Sequence, residues 1–394
     1  MPIVVDLPDL DPEDVWGGQL NAEIQKIADA TVDPAAKKTV PHQVTGVLAS
    51  SAFPIDVATT AQGTARYPVK FAAPVTRFKV HIRNYSYGDA TGYTGNVALT
   101  GLWWGEGRYN LDSYLDGAFT AAPTQINGAS TISGTTEWVS GWITVNADAG
   151  TDHLLSLGWS TSTGAPTNIV SSWTRRWVST SAANASQQAP TVTGSDGPGA
   201  PFDIWLECEI PASTSVVAFI GDSITVGNMY DQSFPTRYGQ AHRAWPVVFG
   251  HFGGRLSDWG TGSTDRWTRF GSVAADAVVL MCGINDVGAD ATLNDLKNRF
   301  NNVRARIVTY LGTRIFVATL LPTNGDTTSG GRETVRANYN AWLKFMRSGI
   351  NGTLDTARTV SATSSTLTTA YTWDGTHLSA DGAVQVAAAI PHLT

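Results

Sequence analysis

Cysteine is scarce: Cys208 and Cys282 are the 2 in 394 residues. Each lies inside an apolar run, "FDIWLECEI" and "AVVLMCGIND". Neither belongs to a Cys-x-x-Cys or other ligand spacing, so a cysteine metal site is not expected. Two buried free thiols are expected, although the spacing alone does not forbid a disulfide. Charge is sparse too. Charged residues are 15% of the chain and the net charge is −7, with no long run of one sign. No basic patch or arm is present, so nucleic acid is not an expected partner. No run approaches the ~20 apolar residues of a membrane helix. The start, "MPIVVDLPDLDPEDVWGG", has neither a basic region nor a long apolar core, so no secretion signal is expected there. Synthesis in the cytoplasm is the corresponding expectation.

Length and composition indicate a folded protein of more than one domain. One core rarely grows beyond about 250–300 residues, and the chain has 394, of which 42% are hydrophobic. The 39 glycines and 14 tryptophans point to much β structure and many tight turns. Three segments are distinguishable. Residues 1–40 are acidic and proline-rich at first, and then Leu20, Ile24 and Ile27 recur at helical spacing. A helix that short needs something to dock on.

Residues 41–210 alternate as half-buried strands do. Phe78, Val80 and Ile82 alternate in "RFKVHIRNY", and Trp138, Trp142 and Val145 do so in "EWVSGWITVNA". "HLLSLGWST" and "FDIWLECEI" read as further strands, with turns such as "NADAGTD" between. A jelly-roll-like β-sandwich is predicted. Eight of the 14 tryptophans fall here, to be placed in its core or on a carbohydrate-binding face; core is preferred. The stretch 179–200, polar and nearly uncharged, reads as an exposed loop or linker. His42, His81 and His153 are expected on β surfaces.

Residues 211–394 change pattern again. "SVVAFIGDS", "DAVVLMCGIND" and "RIFVATLLPTN" are continuous apolar runs, as strands buried on both faces require. Between them come helical patterns. Leu293, Leu296, Phe300, Val303, Ile307 and Leu311 share one face, with Thr292 as cap and Gly312 as stop. Val335, Tyr339, Trp342 and Met346 repeat the spacing before Gly349. Strand alternating with helix predicts a parallel sheet covered on both sides, whose sites form at the carboxyl ends of strands.

Both "GDS" and "GIND" stand at such ends, which makes Ser223 a candidate nucleophile. A serine needs a base, and the base needs an orienting group. "TWDGTHLSADG" places Asp374 three residues before His377, where the carboxylate can hold the imidazole. His242, in "QAHRAWP", is the runner-up without an acid nearby. A developing oxyanion needs donors: the Ser223 backbone N–H, the Asn285 amide, and Gly262 in "DWGTGSTDRW".

Four blocks in this order, "GDSITVG", "TGST", "CGIND" and "DGTHLSADG", resemble the SGNH hydrolases, the GDSL esterase/lipase family. The resemblance spans about residues 211–394. "RAWPVVF" at 243–249 resembles the Trp-Pro helix of that family. The resemblance implies a three-layer α/β/α, flavodoxin-like domain. It also implies ester hydrolysis through an acyl-Ser223 intermediate, with no metal and no cofactor. The second block departs from the family, whose usual Asn is replaced in "LSDWGTG", so Gly260 stays open beside Gly262. A tryptophan-rich sandwich before such a domain resembles carbohydrate-active esterases, which implies an acylated, most readily O-acetylated, polysaccharide as substrate. A lipase-like or aryl esterase, and a glycan-binding adhesion protein with a vestigial hydrolase domain, are the alternatives. "PEDVWGGQLNAEIQKI" resembles the attachment segments of phage tail proteins. That implies a virion protein acting outside the cell, held through residues 1–40 or as a homo-oligomer.

Overall fold

A computed structural model of the chain describes residues 36–44, 62–86, 91–92, 95–109, 115–134, 136–161, 168–169, 177–179, 181–189, 200–227, 232–324, 331–346 and 348–393. The helix expected around Leu20–Ile27, and the attachment segment with it, lies outside the described residues.

Among the described residues, the N-terminal part is built chiefly of two antiparallel sheets. One runs Lys37–Gln43, Asp203–Pro211, Val75–Arg83, with Trp138–Val139 and Ile143–Ala147 on the last of these. The other centres on Gln62–Lys70, Asp152–Ser160 and Asn96–Tyr109. The alternation read in "RFKVHIRNY" holds: Phe78, Val80 and Ile82 are fully buried. Across the sandwich, Phe78 meets Trp104 edge to face at 5.0 Å. Trp104, Trp159 and Trp205 are core residues, while Trp142 is 38% exposed. Its indole is flanked by Arg77 and Lys79.

Two expectations for this half are corrected. His42, His81 and His153 are buried, not on β surfaces. His81 stacks on Trp205 at 3.6 Å, His153 on Trp104 at 4.7 Å, and His42 packs between Phe71 and Trp245. Within 179–200, residues Ala182–Ser186 form a 3₁₀ turn whose Ala182 and Ala185 are buried, so this piece is part of the fold rather than a linker. The buried Arg66 guanidinium fixes it by donating to the carbonyls of Asn184, Gln187 and Gln188.

From Val216 a five-stranded parallel sheet follows. Its order is Trp245–Gly250, Val216–Gly221, Ala277–Met281, Ile315–Ala318, Gly352–Leu354. In chain order that is 2-1-3-4-5, the flavodoxin-like order. Alternate side chains explain the layers. Val216, Ala218 and Ile220 face Leu296, Phe300 and Val303 of helix Leu293–Tyr310. Val217 and Phe219 face Phe234 and Tyr238 of helix Phe234–His242 and Ala383 and Val386 of helix Ala380–Ala388. Thr292 caps Leu293–Tyr310 as read, in a reciprocal box with Asp295. The family-derived helix at 243–249 is instead the edge strand Trp245–Gly250. At an edge, Pro246 can lack its N–H without cost to the sheet. Both cysteines are buried free thiols, and burial holds each well above the usual thiol range.

The sandwich packs on the same face of the parallel sheet as helix Leu293–Tyr310, in one continuous apolar core. Several contacts fasten the two, among them the following. Trp245 Nε1 donates to the Pro41 carbonyl at 2.8 Å, Phe71 stacks with Trp245 at 5.9 Å, and the Arg269 guanidinium pairs with the Asp203 carboxylate, both fully enclosed. No helix among the described residues is long and apolar enough to cross a membrane.

Candidate active site

Strands Val216–Gly221 and Ala277–Met281 are neighbours whose outgoing connections diverge to opposite faces, which opens a crevice at their carboxyl ends. Gly221 closes the first strand; a Cβ there would run into the Thr225 side chain and the Met281 carbonyl. Asp222 then caps the one-turn helix Ser223–Val226, its carboxylate accepting from the Ile224 amide at 2.9 Å. Ser223 thereby stands first in the helix, at the strand end and 7% exposed. Its backbone N–H is one of the first-turn donors that a helix leaves without an internal partner.

Cys282 and Gly283 follow the second strand; the φ of +133° at Gly283 suits only glycine and turns the chain into Ile284–Gly288. Asn285 Nδ2 donates to the Gly254 carbonyl at 3.1 Å, leaving one of its two N–H groups for another acceptor. Asp286 is buried and fixes the turn by accepting from the Leu256 amide at 2.8 Å and from Arg299 at 2.7 Å.

His377 reaches the crevice from a tight C-terminal hairpin. Thr372 and Leu378 bridge its base, Trp373 N–H donates to the His377 carbonyl at 3.3 Å, and the Thr372 hydroxyl donates to the same carbonyl at 2.7 Å. Asn324 clasps it from outside, its amide donating to the Gly375 carbonyl at 2.6 Å. Inside the hairpin the Asp374 carboxylate accepts from the amides of Thr376 at 2.9 Å and His377 at 2.7 Å, and from His377 Nδ1 at 2.6 Å. A carboxylate only accepts, so Nδ1 carries the proton and Nε2 offers its lone pair. Nε2 lies 2.9 Å from Ser223 Oγ. Partial burial pushes the Asp374 carboxyl up, but the His377 side chain and the two amides outweigh it and hold it below its usual value. Such a chain of hydroxyl, imidazole and carboxylate can draw a proton off the hydroxyl as it attacks an electrophilic carbon.

Burial also raises Asp222, to about 7, with Asp286 adding to the push and the Ile224 amide opposing it. His251, at the end of the edge strand, is lowered to about 4 by burial and the Arg266 charge.

Of the residues singled out in the sequence, Ser223, Asp374 and His377 are brought together, and Asn285 stands at the adjoining strand end. Gly262 is not. Its N–H donates to the Ser257 carbonyl at 3.2 Å and its carbonyl takes Arg306 at 2.8 Å. Gly260 packs against helix Leu293–Tyr310, where a Cβ would lie 2.9 Å from Asn302 Cβ. Both glycines serve that helix contact, and no contact among the described residues joins Gly262 to Ser223. The glycine beside the cluster is Gly254, missed in the sequence. A Cβ on it would lie 3.0 Å from the His251 carbonyl and 3.2 Å from the Gly221 carbonyl. The paired glycines in "GHFGGRL", directly after an apolar run, are the signal that could have found it. His242 stacks with His392 at 5.6 Å, away from the serine's partners. Among the described residues no group of three or more His, Cys, Asp or Glu side chains could hold a metal ion.

No curated protein matches the chain. Among solved structures, a member of the lipolytic G-D-S-L family from Veillonella parvula shares 16% identity at TM-score 0.35, over 45% of this chain and 96% of its own. A family two carbohydrate esterase from Clostridium thermocellum, solved with cellohexaose, shares 13% at TM-score 0.36, over 89% and 96%. A Corynascus thermopiles carbohydrate esterase family 2 enzyme with a carbohydrate-binding domain shares 15% at TM-score 0.37, over 89% and 97%. Over residues 219–384, which hold the serine, the asparagine and the hairpin, the chain matches the model of the GDSL-like lipase/acylhydrolase family.

Proposed function

We propose that the protein is a serine esterase that removes O-acyl groups, acetyl foremost, from a polysaccharide, with Ser223 as nucleophile, His377 as base and Asp374 as its orienting acid. The observation that carries this reading is the unbroken chain from Ser223 Oγ through His377 to Asp374, at 2.9 Å and 2.6 Å.

In this reading His377 Nε2 accepts the Ser223 proton while Oγ bonds to the ester carbonyl carbon. The oxygen that gains the negative charge is met by the Ser223 N–H and the second N–H of Asn285 Nδ2. When the tetrahedral species collapses, the carbon–alkoxide bond breaks and His377 returns the proton to the departing alcohol. Water, deprotonated by the same nitrogen, then attacks acyl-Ser223 and releases the acid. Gly254 takes the place first given to Gly262, keeping the oxyanion side free of a side chain. A small acyl group is supported at Gly254, where a Cβ would lie 3.0 Å from the His251 carbonyl and 3.2 Å from the Gly221 carbonyl, so that backbone closes in on that side.

The test is acid release from O-acetylated glycans and from a series of simple esters of rising acyl length, with Ser223→Ala beside the unaltered protein. Release from acetyl esters that disappears in Ser223→Ala is expected. Equal release by both proteins rejects the serine mechanism, and preference for long acyl chains rejects the acetyl-glycan reading in favour of a lipase.

A further inference from the structure

Trp373 is the residue of the reactive hairpin that the mechanism does not use. It precedes Asp374 directly and is 55% exposed, more than any other tryptophan with described burial. Its indole lies 5.7 Å from the His377 imidazole, the two rings within 19° of parallel. The bridge at Thr372, its own N–H bond to His377 and the Asn324 clasp hold its backbone in place. A large apolar ring left in water on so rigid a support is not there to fill a core.

Which part of an ester would meet this ring follows from the direction of proton flow. The bond that breaks leaves its electrons on the alcohol oxygen, and that oxygen takes its proton from His377 Nε2. The reacting atoms must lie about 3–3.5 Å apart. The alcohol half therefore sits on the imidazole side of Ser223, the side that carries Trp373. The carbonyl oxygen turns to the Ser223 N–H and Asn285, and the acyl chain leaves the same carbon away from the imidazole. A fatty chain would lie in the acyl half and would need a trough of apolar side chains. The hairpin that carries Trp373 is instead polar: it holds Asp374 and Thr376 and is clasped by Asn324, with Asp374 and Asn324 exposed. A flat apolar platform with a polar rim fits a molecule with one C–H face and a ring of hydroxyls.

We propose that Trp373 is a specificity-determining residue that stacks beneath the pyranose ring bearing the scissile ester. This rests on the serine-esterase reading above and assigns the alcohol half of its substrate to a saccharide.

The experiment compares kcat and KM of the unaltered protein, Trp373→Ala and Trp373→Phe on an O-acetylated methyl pyranoside, vinyl acetate and vinyl octanoate. Aryl acetates are avoided because their own ring would stack on the indole. The expected result is a fall of tenfold or more in the pyranoside-to-vinyl-acetate ratio of kcat/KM for Trp373→Ala. The fall should reside mainly in KM, and Trp373→Phe should recover part of it. Equal losses on both acetates would overturn the proposal, since the indole would then act only through His377. A loss confined to vinyl octanoate would place the acyl chain on the ring, and an unchanged ratio with dissociation of an oligomer in light scattering would place a second copy there; either overturns it. Turnover of vinyl acetate that needs Ser223, with none on the pyranoside, overturns the platform and leaves the serine mechanism standing. No turnover on any ester would instead strike the mechanism itself.

Discussion

The sandwich and the parallel-sheet unit bury similar kinds of polar side chain, and they use them differently. In the sandwich, Arg66 is enclosed by backbone carbonyls, His81 is stacked on Trp205 beside Glu207, and His153 is stacked on Trp104. Each finds its partners on neighbouring strands or turns of its own sheet, and the groups are spread over two sheets. In the parallel unit, Asp222, Ser223, Asp286 and His251 are also buried, but all stand at the carboxyl ends of three adjacent strands. Burial of an ionisable group is therefore no mark of chemistry by itself. Convergence of such groups at one sheet edge is the distinguishing feature.

Replacing Ser223 by Ala is the sharpest way to break the comparison. Ester turnover should fall by about 10⁴-fold or more, while the thermal transition stays where it was. Asn285→Ala follows, with an expected loss of about 10²–10³ in kcat; a smaller effect would mean that Asn285 only props the Gly254 carbonyl. At the seam, Arg269→Ala leaves the Asp203 carboxylate buried without its main partner. That should cost about 3–5 kcal/mol of unfolding free energy, read from urea titration. Because one apolar core spans both parts, a single transition is expected to move rather than one of two.

The smallest effects are the slopes of stability with pH, which should have opposite signs for Asp222 and His42. Asp222 is held at about 7 in the folded protein against an ordinary value near 4. The folded state thus binds the proton more tightly, and the stability that this proton contributes is present at low pH and lost as pH rises toward 7. Relative to Asp222→Asn, the unaltered protein should lose stability as pH rises from about 4 to about 7. His42, at the seam, is lowered to about 3 by burial. Here the unfolded chain binds the proton more tightly, so stability is lost as pH falls from about 6.5 toward 3. His42→Phe should flatten that acid limb. Urea midpoints across the pH range for both variants test the pair, and slopes of the same sign would refute it.

The Ser223–His377–Asp374 cluster was more legible in the sequence than the sandwich. "GDS", "GIND" and "DGTH" are short, and each codes its geometry locally. Asp222 caps its own turn, and Asp374 accepts amides two and three residues ahead. Gly254 was missed because its place depends on the long-range register that brings Asn285 to its carbonyl. The edge strand Trp245–Gly250 was hidden by Pro246, which looks like a breaker until the strand is seen to lie at the border of the sheet. Gly352–Leu354, with 3 residues, is too short to show any period. The three sandwich histidines were placed on surfaces because polarity was read without the tryptophans that stack on them from distant strands.

The Asp374–His377 pair spans three residues, whereas His377 and Ser223 are 154 apart in the chain. Closing a short loop takes little of the chain's freedom, and joining distant segments must wait for the sheet between them. Asp374 and His377 can therefore assemble as a self-contained cassette before the protein has its final shape. Ser223 joins them only when the strand order is complete. On the serine-esterase reading proposed above, activity is then a reporter of the last long-range contact to form, and during refolding it should return no sooner than the fluorescence change that marks burial of Trp245 and Trp259.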